Sequence, residues 1–431
     1  MKVAFHTLGC KVNLFETQAL TQLAETRGHE VVTQDADAVI LNTCTVTAVS
    51  DHKNMRALHK LRKENPRAVI AACGCLAQLS PERLRDTGGA DLICGTTDRA
   101  QVLTLCEQAV QGKRVDDTAP ARPADRDTAF ELLPAGVPKG RTRALLKIED
   151  GCDYFCSYCI IPYARGRVRS MPPAVVLREA ERLMAAGVHE IVLTGIEIAS
   201  YGRDLTPALS LTDLLCTLLG AFPRMRFRLG SLDPRIADEQ FCARLCRFDN
   251  LARHFHLSLQ SGCDTVLQRM GRKYTAEQYY TNAMLLKAAF ADCSVTTDLI
   301  VGFPGETEEE FAQTLRFIER CALSAVHVFP YSAREGTRAA RMEAQLSDQK
   351  KAARAARAKA VAAALTQSYL RRFVGRTLAV LPEHRTGGLW AGHGDYGFPI
   401  YIEGESIRKN QPLSVRVTGL HRDGVKAEII L

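Results

Sequence analysis

Three cysteines close together in the chain place the strongest constraint on its fold. Cys152, Cys156 and Cys159 follow the pattern C-x-x-x-C-x-x-C, with Tyr158 directly before the third. Three thiolates on one short loop can ligate three irons of a cubane cluster, whereas fully ligated ferredoxin clusters take four cysteines. The missing fourth ligand indicates an iron left open for chemistry, as in catalytic rather than structural zinc sites. A disulfide or half of a zinc site is the alternative, and three thiols at this spacing disfavour it.

Length and composition limit the class of protein. The 431 residues are sufficient for two or three domains with buried cores. Fifteen cysteines, without a signal-peptide pattern at the first residues, favour metal ligation and buried thiols over a disulfide framework. No apolar run approaches a membrane span in length. We therefore expect a cytoplasmic protein without membrane contact, with a monomer as the default state. The net charge of +8 is compatible with a polyanionic partner.

Residues 1–111 alternate between short apolar runs and helical stretches, which is typical of a parallel α/β sheet. The pattern predicts strands at residues 3–8, 38–42, 68–72 and 91–94, and helices at residues 14–27 and 50–64. Cys10, Cys44 and the neighbours Cys73 and Cys75 follow three of these strands. Since the carboxyl ends of parallel strands share one edge, thiols far apart in sequence would meet there. The sequence thus predicts a second three-thiolate site.

Two questions about these cysteines stay open at the level of the residues. They could instead be buried core thiols, because free cysteine is among the most buried residue types. Cys73 and Cys75 compete for the third position, and alternation places both on the same side of an extended chain. Cys94 and Cys106 lie in apolar surroundings and are expected in the core.

The alternation resumes after residues 112–142, which are rich in Pro, Asp and Arg and predict a linker. The next domain, residues 143–375, ends in a long basic helix. Its predicted strands lie at residues 144–148, 190–193, 226–229, 255–259, 295–301 and 325–329, with helices at residues 174–186, 211–219, 276–290 and 308–321. Six strand–helix units indicate a partial or complete parallel barrel with function at the carboxyl ends of its strands. The cysteine loop directly follows the first strand.

Polar or glycine-containing segments follow other predicted strands and provide candidate ligand contacts. Gly195 and Glu197 follow the second strand, Gln260 the fourth and Gly302 the fifth. Glycine allows a ligand to approach the backbone closely, although the sequence GETEEE after Gly302 could equally be a helix start. A solvated carboxylate is the alternative for Glu197. His256 is expected to be a packed histidine, since no second histidine has metal-ligand spacing.

The C-terminal part of the chain combines a basic helix with strand-type runs. Residues 349–372 carry seven Lys and Arg residues on one helix, which is either a solvated face or a phosphate-binding one. Residues 376–431 contain strand-type runs, and Asp423-Gly424 signals a hairpin. A small β-barrel of the nucleic-acid-binding kind is predicted there. The aromatic residues that could stack on bases, or else form its core, are Trp390, Tyr396, Phe398 and Tyr401.

Motifs along the whole chain resemble those of known families. The loop GCDYFCSYC, with glycine-containing strand ends behind it, resembles the radical S-adenosylmethionine superfamily. In combination with LGCKVN, NTCTVT, GCLAQ, IIPYARGRVRS and LQSG, it is similar to the methylthiotransferases, and the tail resembles a TRAM RNA-binding domain. The segment GHGDYGFPIYI is an imperfect match to the usual TRAM core. The resemblance implies two 4Fe–4S clusters and S-adenosylmethionine as cofactors.

The resemblance also implies roles for individual residues. Cys152, Cys156 and Cys159 would hold the radical-generating cluster. An auxiliary cluster would be held by Cys10, Cys44 and Cys75, because the family's glycine–cysteine pair falls on Gly74-Cys75. The candidate contacts to S-adenosylmethionine, assigned from the cysteine loop and from strand-end position, are Tyr158, Gly195, Glu197, Gln260 and Gly302.

Three branches of the family differ at these motifs. GCKVN and NTCTVT resemble the branch that acts on threonylcarbamoyladenosine beside the tRNA anticodon. GCQMN and NTCSVR are typical of the isopentenyladenosine tRNA branch, and GCPKN and NTCGF of the ribosomal-protein branch. The implied reaction is methylthiolation of carbon 2 of the adenine at position 37, with tRNA as the partner. Methylthiolation of isopentenyladenosine, or of a ribosomal-protein aspartate, is the same-class alternative.

The implied chemistry needs a radical, because the aromatic C–H bond at carbon 2 is unsuited to acid–base catalysis. The family mechanism implies that an electron enters the sulfonium and that homolysis gives methionine and a 5′-deoxyadenosyl radical. A flavodoxin- or ferredoxin-like electron donor is expected, and the sulfur donor is not encoded in the motifs. A non-catalytic iron–sulfur RNA-binding sensor is the alternative from another class. It explains the tail and the clusters but not the open-iron spacing.

Overall fold

The N-terminal domain is a parallel sheet with helices on both faces. The structure of the chain is a computed structural model that describes residues 1–86, 89–115, 128–137, 142–404 and 407–430. In chain order the elements are β1 (Lys2–Thr7), α1 (Lys11–Thr26), β2 (Glu30–Val31), β3 (Ala38–Thr43), α2 (Ala48–Glu64), β4 (Val69–Gly74), α3 (Cys75–Leu79), α4 (Pro81–Asp86), β5 (Leu92–Ile93) and α5 (Arg99–Val110). The strands lie in the order β2-β1-β3-β4-β5 and are all parallel.

Strand β3 shows why these runs are apolar throughout. Ile40 packs in the layer that includes residues of α1 and α5, while Val39 and Leu41 pack in the layer beneath α2 and α3. Both faces of the strand are therefore buried, as expected of a parallel sheet covered on two sides. The four predicted strands and the two predicted helices are confirmed, with ends that differ by a few residues.

The central domain is a partial (βα)6 barrel. Its elements are β6 (Arg143–Lys147), β7 (Glu149–Asp150), α6 (Ile161–Arg165), β8 (Arg169–Ser170), α7 (Pro173–Ala185), β9 (Glu190–Thr194), α8 (Leu211–Ala221), β10 (Arg226–Leu229), β11 (Ser231–Leu232), α9 (Glu239–Leu245), β12 (His254–Leu257), α10 (Asp264–Met270), α11 (Ala276–Ala289), β13 (Ser294–Val301), α12 (Glu308–Arg320), β14 (Ala325–Pro330) and α13 (Asp348–Arg371). The parallel sheets β10-β9-β6 and β11-β12-β13-β14 contain all six predicted strands.

Backbone contacts join these two sheets into one curved wall. Phe227 N donates to Asn250 O at 2.9 Å, and Ala252 N donates to Phe227 O at 2.8 Å. Strand β10 is thus hydrogen-bonded to residues 250–252, which shortly precede β12. Helix α1 of the N-terminal domain packs beside this barrel, and its Phe15 and Ala19 belong to the central apolar core.

The described part of the predicted linker packs on the barrel. Residues 128–137 form neither a helix nor a strand, and Leu133 and Ala135 are buried in the central core. Glu131 accepts a hydrogen bond from the backbone N–H of Arg99 at 2.5 Å. The rest of the segment, residues 116–127 and 138–141, lies outside the described residues.

The C-terminal domain is a closed five-stranded β-barrel. Its strands are β15 (Thr377–Thr386), β16 (Leu389–His393), β17 (Pro399–Ile402), β18 (Leu413–His421) and β19 (Gly424–Ile429), in the closed order β15-β16-β17-β19-β18. The predicted hairpin is confirmed, since β18 and β19 pair antiparallel around Arg422 and Asp423. Tyr396 and Phe398 lie 4.7 Å and 4.9 Å from the ring of Phe373. These two aromatic rings therefore fix the β-barrel to the end of α13.

The β-barrel is attached to the amino ends of the central strands. Arg226, the first residue of β10, holds Asp395 with its Nε 2.7 Å from Oδ1. Arg143, the first residue of β6, places its Nε 3.0 Å from Glu383 Oε1. The C-terminal domain thus lies at the rim opposite the carboxyl ends of the strands. No helix in the described ranges combines the length and apolar character needed to cross a bilayer.

Candidate active site

One cavity of about 560 Å³ lies between the carboxyl ends of the central strands and the N-terminal domain. Segments that follow β1, β3 and β4 line it from one side, and the cysteine loop and the ends of β9, β11 and β12 line it from the other. All six cysteines predicted as cluster ligands line this cavity: Cys10, Cys44, Cys75, Cys152, Cys156 and Cys159. The two groups of thiols therefore share one space.

The cysteine loop is held by backbone contacts on several sides. Ser157 N donates to Met270 O at 2.8 Å, and Ser157 Oγ donates to Arg269 O at 2.8 Å, both at the end of α10. Cys152 N donates to Gly166 O at 3.1 Å. Phe155, between the first two cysteines, has the left-handed φ of +48°. Strained backbone of this kind clusters at ligand sites, where the surrounding contacts hold it in place.

Gly74 determines which N-terminal cysteine reaches the cavity. Its φ is +93°, and a Cβ there would lie 2.6 Å from Thr43 O, so the turn requires glycine. Cys73 ends up in the core with Leu103, whereas Cys75 begins α3 and lines the cavity. The expectation that alternation places both thiols on one side was wrong, because the chain is not extended at Gly74.

Burial makes these thiols weak acids. It raises the pKa of Cys75 and of Cys159 to about 12, and raises that of Cys152 as well. The Arg165 guanidinium opposes the effect at Cys75, and the neighbouring Cys75 adds to the rise at Cys159. A charge on a sulfur atom of one trio thus affects the pKa of a thiol in the other trio. Such thiols are protonated at neutral pH, so metal binding to them must release protons.

A buried guanidinium lies beside the central trio. Arg272 donates from Nη1 to Cys156 Sγ at 3.4 Å, and its Nη2 is 3.5 Å from Asp233 Oδ2. Its Nε also donates to Tyr274 Oη at 2.9 Å. The positive charge of Arg272 thus lies beside Cys156 Sγ, which would become a thiolate on cluster binding.

Gly195 and Glu197 lie on a loop organised by Glu149. The buried Glu149 Oε2 accepts hydrogen bonds from Ile196 N at 2.9 Å and from Glu197 N at 2.7 Å. Glu197 is 8% exposed, accepts from Ser200 Oγ at 2.5 Å and lines the cavity with Gly195. Glu197 is therefore not a solvated carboxylate, and burial raises its pKa and that of Glu149.

The other predicted contacts divide into those that line the cavity and one that does not. Tyr158 and Gln260 line it, and Gln260 has the left-handed φ of +69° at the end of its strand. Gly302 is not among the lining residues and packs against α13 instead. A Cβ at Gly302 would lie 2.5 Å from Lys351 Cγ, and its N–H donates to Glu306 Oε2 at 2.7 Å. A ligand contact at Gly302 stays a prediction.

Helix-start chemistry accounts for the segment after Gly302. The Thr307 hydroxyl accepts from Glu310 N at 3.2 Å, and the Glu310 carboxylate accepts from Thr307 N at 2.9 Å. This reciprocal capping box begins α12. His256 is packed as expected, with Nδ1 2.9 Å from Thr296 Oγ1.

Two family profiles match the chain in the regions that form this site. The Radical SAM superfamily matches residues 146–318, and the uncharacterized protein family UPF0004 matches residues 2–95. Among curated relatives, the threonylcarbamoyladenosine tRNA methylthiotransferase MtaB of Bacillus subtilis (strain 168) is 41% identical over 390 residues. That alignment covers 88% of this chain and 84% of the relative. The chain belongs to the radical SAM methylthiotransferase family.

Further relatives of this methylthiotransferase come from two named groups. MtaB of Thermotoga maritima is 35% identical, with 98% of this chain and 96% of the relative covered. A tRNA-2-methylthio-N(6)-dimethylallyladenosine synthase of Oceanobacillus iheyensis is 33% identical, with 89% and 74% covered. The solved radical S-adenosylmethionine methyltransferase TsrM of Kitasatospora setae matches with a TM-score of 0.56 and 16% identity, covering 76% of this chain and 72% of that one. The last likeness concerns the fold alone.

The central trio of the methylthiotransferase fits the 4Fe–4S cluster of its superfamily, which works with S-adenosylmethionine. Within the described residues, no three Cys, His, Asp or Glu side chains converge as they do on a single metal ion. A cubane is larger than one ion and spaces its three sulfur ligands more widely. The donor chemistry agrees, because Cys152, Cys156 and Cys159 provide sulfur only and Arg272 provides the adjacent positive charge.

Several cavity residues of the methylthiotransferase were not singled out from the sequence. Lys11 and Asn13 lie within the LGCKVN motif and Arg165 within IIPYARGRVRS, so the motifs already contained them. Asp233 follows strand β11, where the strand-end rule could have found it. Arg272 carries no such signal, since it lies beyond α10 and reaches Cys156 only through the fold.

Proposed function

We propose that this methylthiotransferase transfers a methylthio group to carbon 2 of threonylcarbamoyladenosine at position 37 of tRNA, next to the anticodon. The observation that carries the proposal is the single cavity that six cysteines line in two groups of three. A reaction that both generates a radical and delivers sulfur needs two open clusters within reach of one substrate atom. The relatives from Bacillus subtilis and Thermotoga maritima are both named as methylthiotransferases of threonylcarbamoyladenosine, which supports the same nucleoside here.

In this proposal Cys10, Cys44 and Cys75 hold an auxiliary 4Fe–4S cluster, and Cys152, Cys156 and Cys159 hold the radical-generating one. When bound and reduced by the electron donor, the latter would supply the electron that cleaves S-adenosylmethionine into methionine and a 5′-deoxyadenosyl radical. The protein's part is to position the substrate and the cofactors and to exclude water from the site. Gly195 lines the cavity on the loop organised by Glu149, and its lack of a side chain allows the Glu149 carboxylate to pack against it.

We further propose that tRNA contacts several domains, with the anticodon loop at the cavity. Four of the seven cations of residues 349–372 are ion-paired within the protein, namely Lys351, Arg354, Arg357 and Arg372. Lys350, Lys359 and Arg371 are exposed and suit phosphate contacts. A flavodoxin- or ferredoxin-like protein is proposed as the electron donor.

The test is a reaction of the anaerobically reconstituted protein with reductant, S-adenosylmethionine and tRNA that lacks the methylthio group. Nucleosides are then digested and analysed by mass spectrometry. We expect 2-methylthio-threonylcarbamoyladenosine from the wild type and none from Cys156→Ala. Product on isopentenyladenosine alone would overturn the substrate assignment. Absence of both the product and 5′-deoxyadenosine would favour a non-catalytic RNA-binding sensor.

A further inference from the structure

Lys11 differs from the other cations that line the active-site cavity. Arg165 places Nη1 2.8 Å from Glu16 Oε1, and Arg272 places Nη2 3.5 Å from Asp233 Oδ2. Lys11 lines the same cavity with an exposed side chain, and no residue in the described part of the chain forms an ion pair or hydrogen bond with its Nζ. A cation in this position, without a carboxylate in contact, is available to an anionic ligand.

The position of Lys11 places this charge between the two halves of the site. It is the first residue of α1 and directly follows Cys10, a candidate ligand of the auxiliary cluster. Arg143, Arg228 and Asp298, on three strands of the barrel, are close enough to affect the pKa of the Lys11 ammonium. Lys11 thus belongs to the cluster segment and lines the cavity that this segment shares with the barrel.

Each of these three barrel residues contacts another polar or charged side chain. Arg228 Nε lies 2.7 Å from Glu190 Oε1, and Arg143 Nε lies 3.0 Å from Glu383 Oε1. The Asp298 carboxylate is 3.4 Å from His256 Nε2. Among the described cations that line the cavity, Lys11 is therefore the one without a contacting carboxylate.

On the basis of the proposed function, we propose that Lys11 binds the carboxylate of the threonylcarbamoyl group and so selects this nucleoside over uncharged adenosines. The threonyl group is attached through its nitrogen and keeps its carboxylate, whereas an isopentenyl group has no charge. The modified N6 and carbon 2 both lie on the Watson–Crick edge of adenine. A carboxylate held beside Cys10 would therefore bring carbon 2 towards the auxiliary trio.

The selection has a physical basis in two effects. Hydrogen bonds between ammonium and carboxylate groups are among the stronger polar contacts in proteins. A site built for a polar group also rejects an analogue that lacks it, because the protein's own group is then left without a partner. With an apolar substituent at N6, the Lys11 ammonium would be left without a partner in the complex.

The test compares binding of three anticodon stem-loop RNAs to the reconstituted protein. One carries threonylcarbamoyladenosine, one carries the methyl ester of its carboxylate, and one carries unmodified adenosine. We expect the wild type to bind the acid about tenfold more tightly than the ester, as one charge-assisted contact implies. Lys11→Gln should bring this ratio close to one, and Lys11→Arg should retain part of it. Lys63→Gln, at the exposed end of α2, is the matched control and should leave the ratio unchanged.

Three outcomes would overturn the proposal. A ratio unchanged in Lys11→Gln would exclude the contact, and equal weakening for all three RNAs would assign Lys11 to the phosphate backbone. Loss of 5′-deoxyadenosine formation in the absence of RNA would assign Lys11 to S-adenosylmethionine. Iron content and thermal unfolding verify that the variant is folded. Failure of the proposed function is distinct, since it appears as absence of methylthio product from the wild type.

Discussion

Arg165 and Glu16, which are 149 positions apart in the chain, form an ion pair with Nη1 2.8 Å from Oε1. Both side chains are fully buried. The same guanidinium donates to Asp150 Oδ1 at 3.1 Å and, through Nη2, to Asn13 Oδ1 at 2.9 Å. One side chain after the central cysteine loop therefore holds both the start of α1 and the strand that precedes the loop.

Asn13 carries this link to the auxiliary thiols. Its Nδ2 donates to Leu8 O at 2.9 Å and to Thr43 O at 2.8 Å, in the segments that contain Cys10 and Cys44. The two cysteine trios are thus connected through Arg165 and Asn13. The relative position of the two proposed clusters is set by buried polar contacts.

Replacement of Arg165 by Ala should destabilise the protein strongly. Loss of one partner leaves the Glu16 and Asp150 carboxylates buried with fewer counter-charges, which costs about 3–5 kcal/mol. Arg167→Ala is the matched control, because its ion pair with Asp153, at 3.3 Å, is substantially exposed on both sides and should change stability by less than about 1 kcal/mol. Denaturant unfolding of the cluster-free proteins measures both. Equal effects of the two substitutions would contradict the assigned role of the buried network.

Glu16 should make stability depend on acidic pH. Burial alone would raise its pKa, but Arg165, Arg99 and Lys147 outweigh burial and hold the pKa at about 2, against an ordinary value of 4.5. The carboxylate's stabilising contribution is thus fully present above about pH 4.5 and is lost as the pH falls towards about 2. The difference corresponds to roughly 3 kcal/mol. In Glu16→Gln this part of the acid dependence should disappear, which thermal unfolding of the cluster-free protein between pH 5 and 3 would detect. If the difference in stability between Glu16→Gln and the wild type stays the same from pH 5 to pH 3, the role assigned to Glu16 is refuted.

Gly195→Ala should disrupt the S-adenosylmethionine side of the cavity. A Cβ there would lie 2.5 Å from Glu149 Oε2 and 2.8 Å from Ile198 Cγ2, both in buried groups that cannot move away easily. We expect loss of most S-adenosylmethionine binding, measured by equilibrium dialysis of the reconstituted enzyme. Gly220→Ala in α8 is the control, since a Cβ there meets nothing within 4 Å and alanine favours a helix. Binding retained in Gly195→Ala would show that this loop does not contact the ligand.

Cys75 and Cys73 should differ in their effect on iron content. Two 4Fe–4S clusters correspond to about eight irons per chain after anaerobic reconstitution. Cys75→Ala should leave about four or slightly more, because the auxiliary cluster loses one of its three ligands. Cys73→Ala should retain about eight, since its thiol is buried in the apolar core away from the cavity. Iron analysis and the visible absorption spectrum distinguish the two variants. Iron loss in Cys73→Ala instead would reverse the assignment.

The sequence was informative for features that depend on a short stretch of the chain, such as buried strands and tight turns. Apolar runs predicted the six barrel strands, and β9 is buried at every residue, as in a parallel sheet covered on both faces. The hairpin at Asp423 followed from turn chemistry, and it is present between β18 and β19. Gly302 was noticed as a glycine at a strand end, and its ligand contact stays a prediction. In the structure, the group that lies against this glycine is the Lys351 side chain.

The sequence by itself determined the main strands and helices of the two α/β domains, the family, and the cysteines that are candidates for iron. Only the tertiary structure decided which of them share a space. It separated Cys75 from Cys73 through the turn at Gly74, brought Arg272 to Cys156, and placed Lys11 in the shared cavity. It also placed the C-terminal barrel at the opposite rim, through Arg143 and Arg226. The reason is physical, since periodicity fixes which face a residue occupies on its own element, whereas long-range packing and buried charge pairs fix which elements meet.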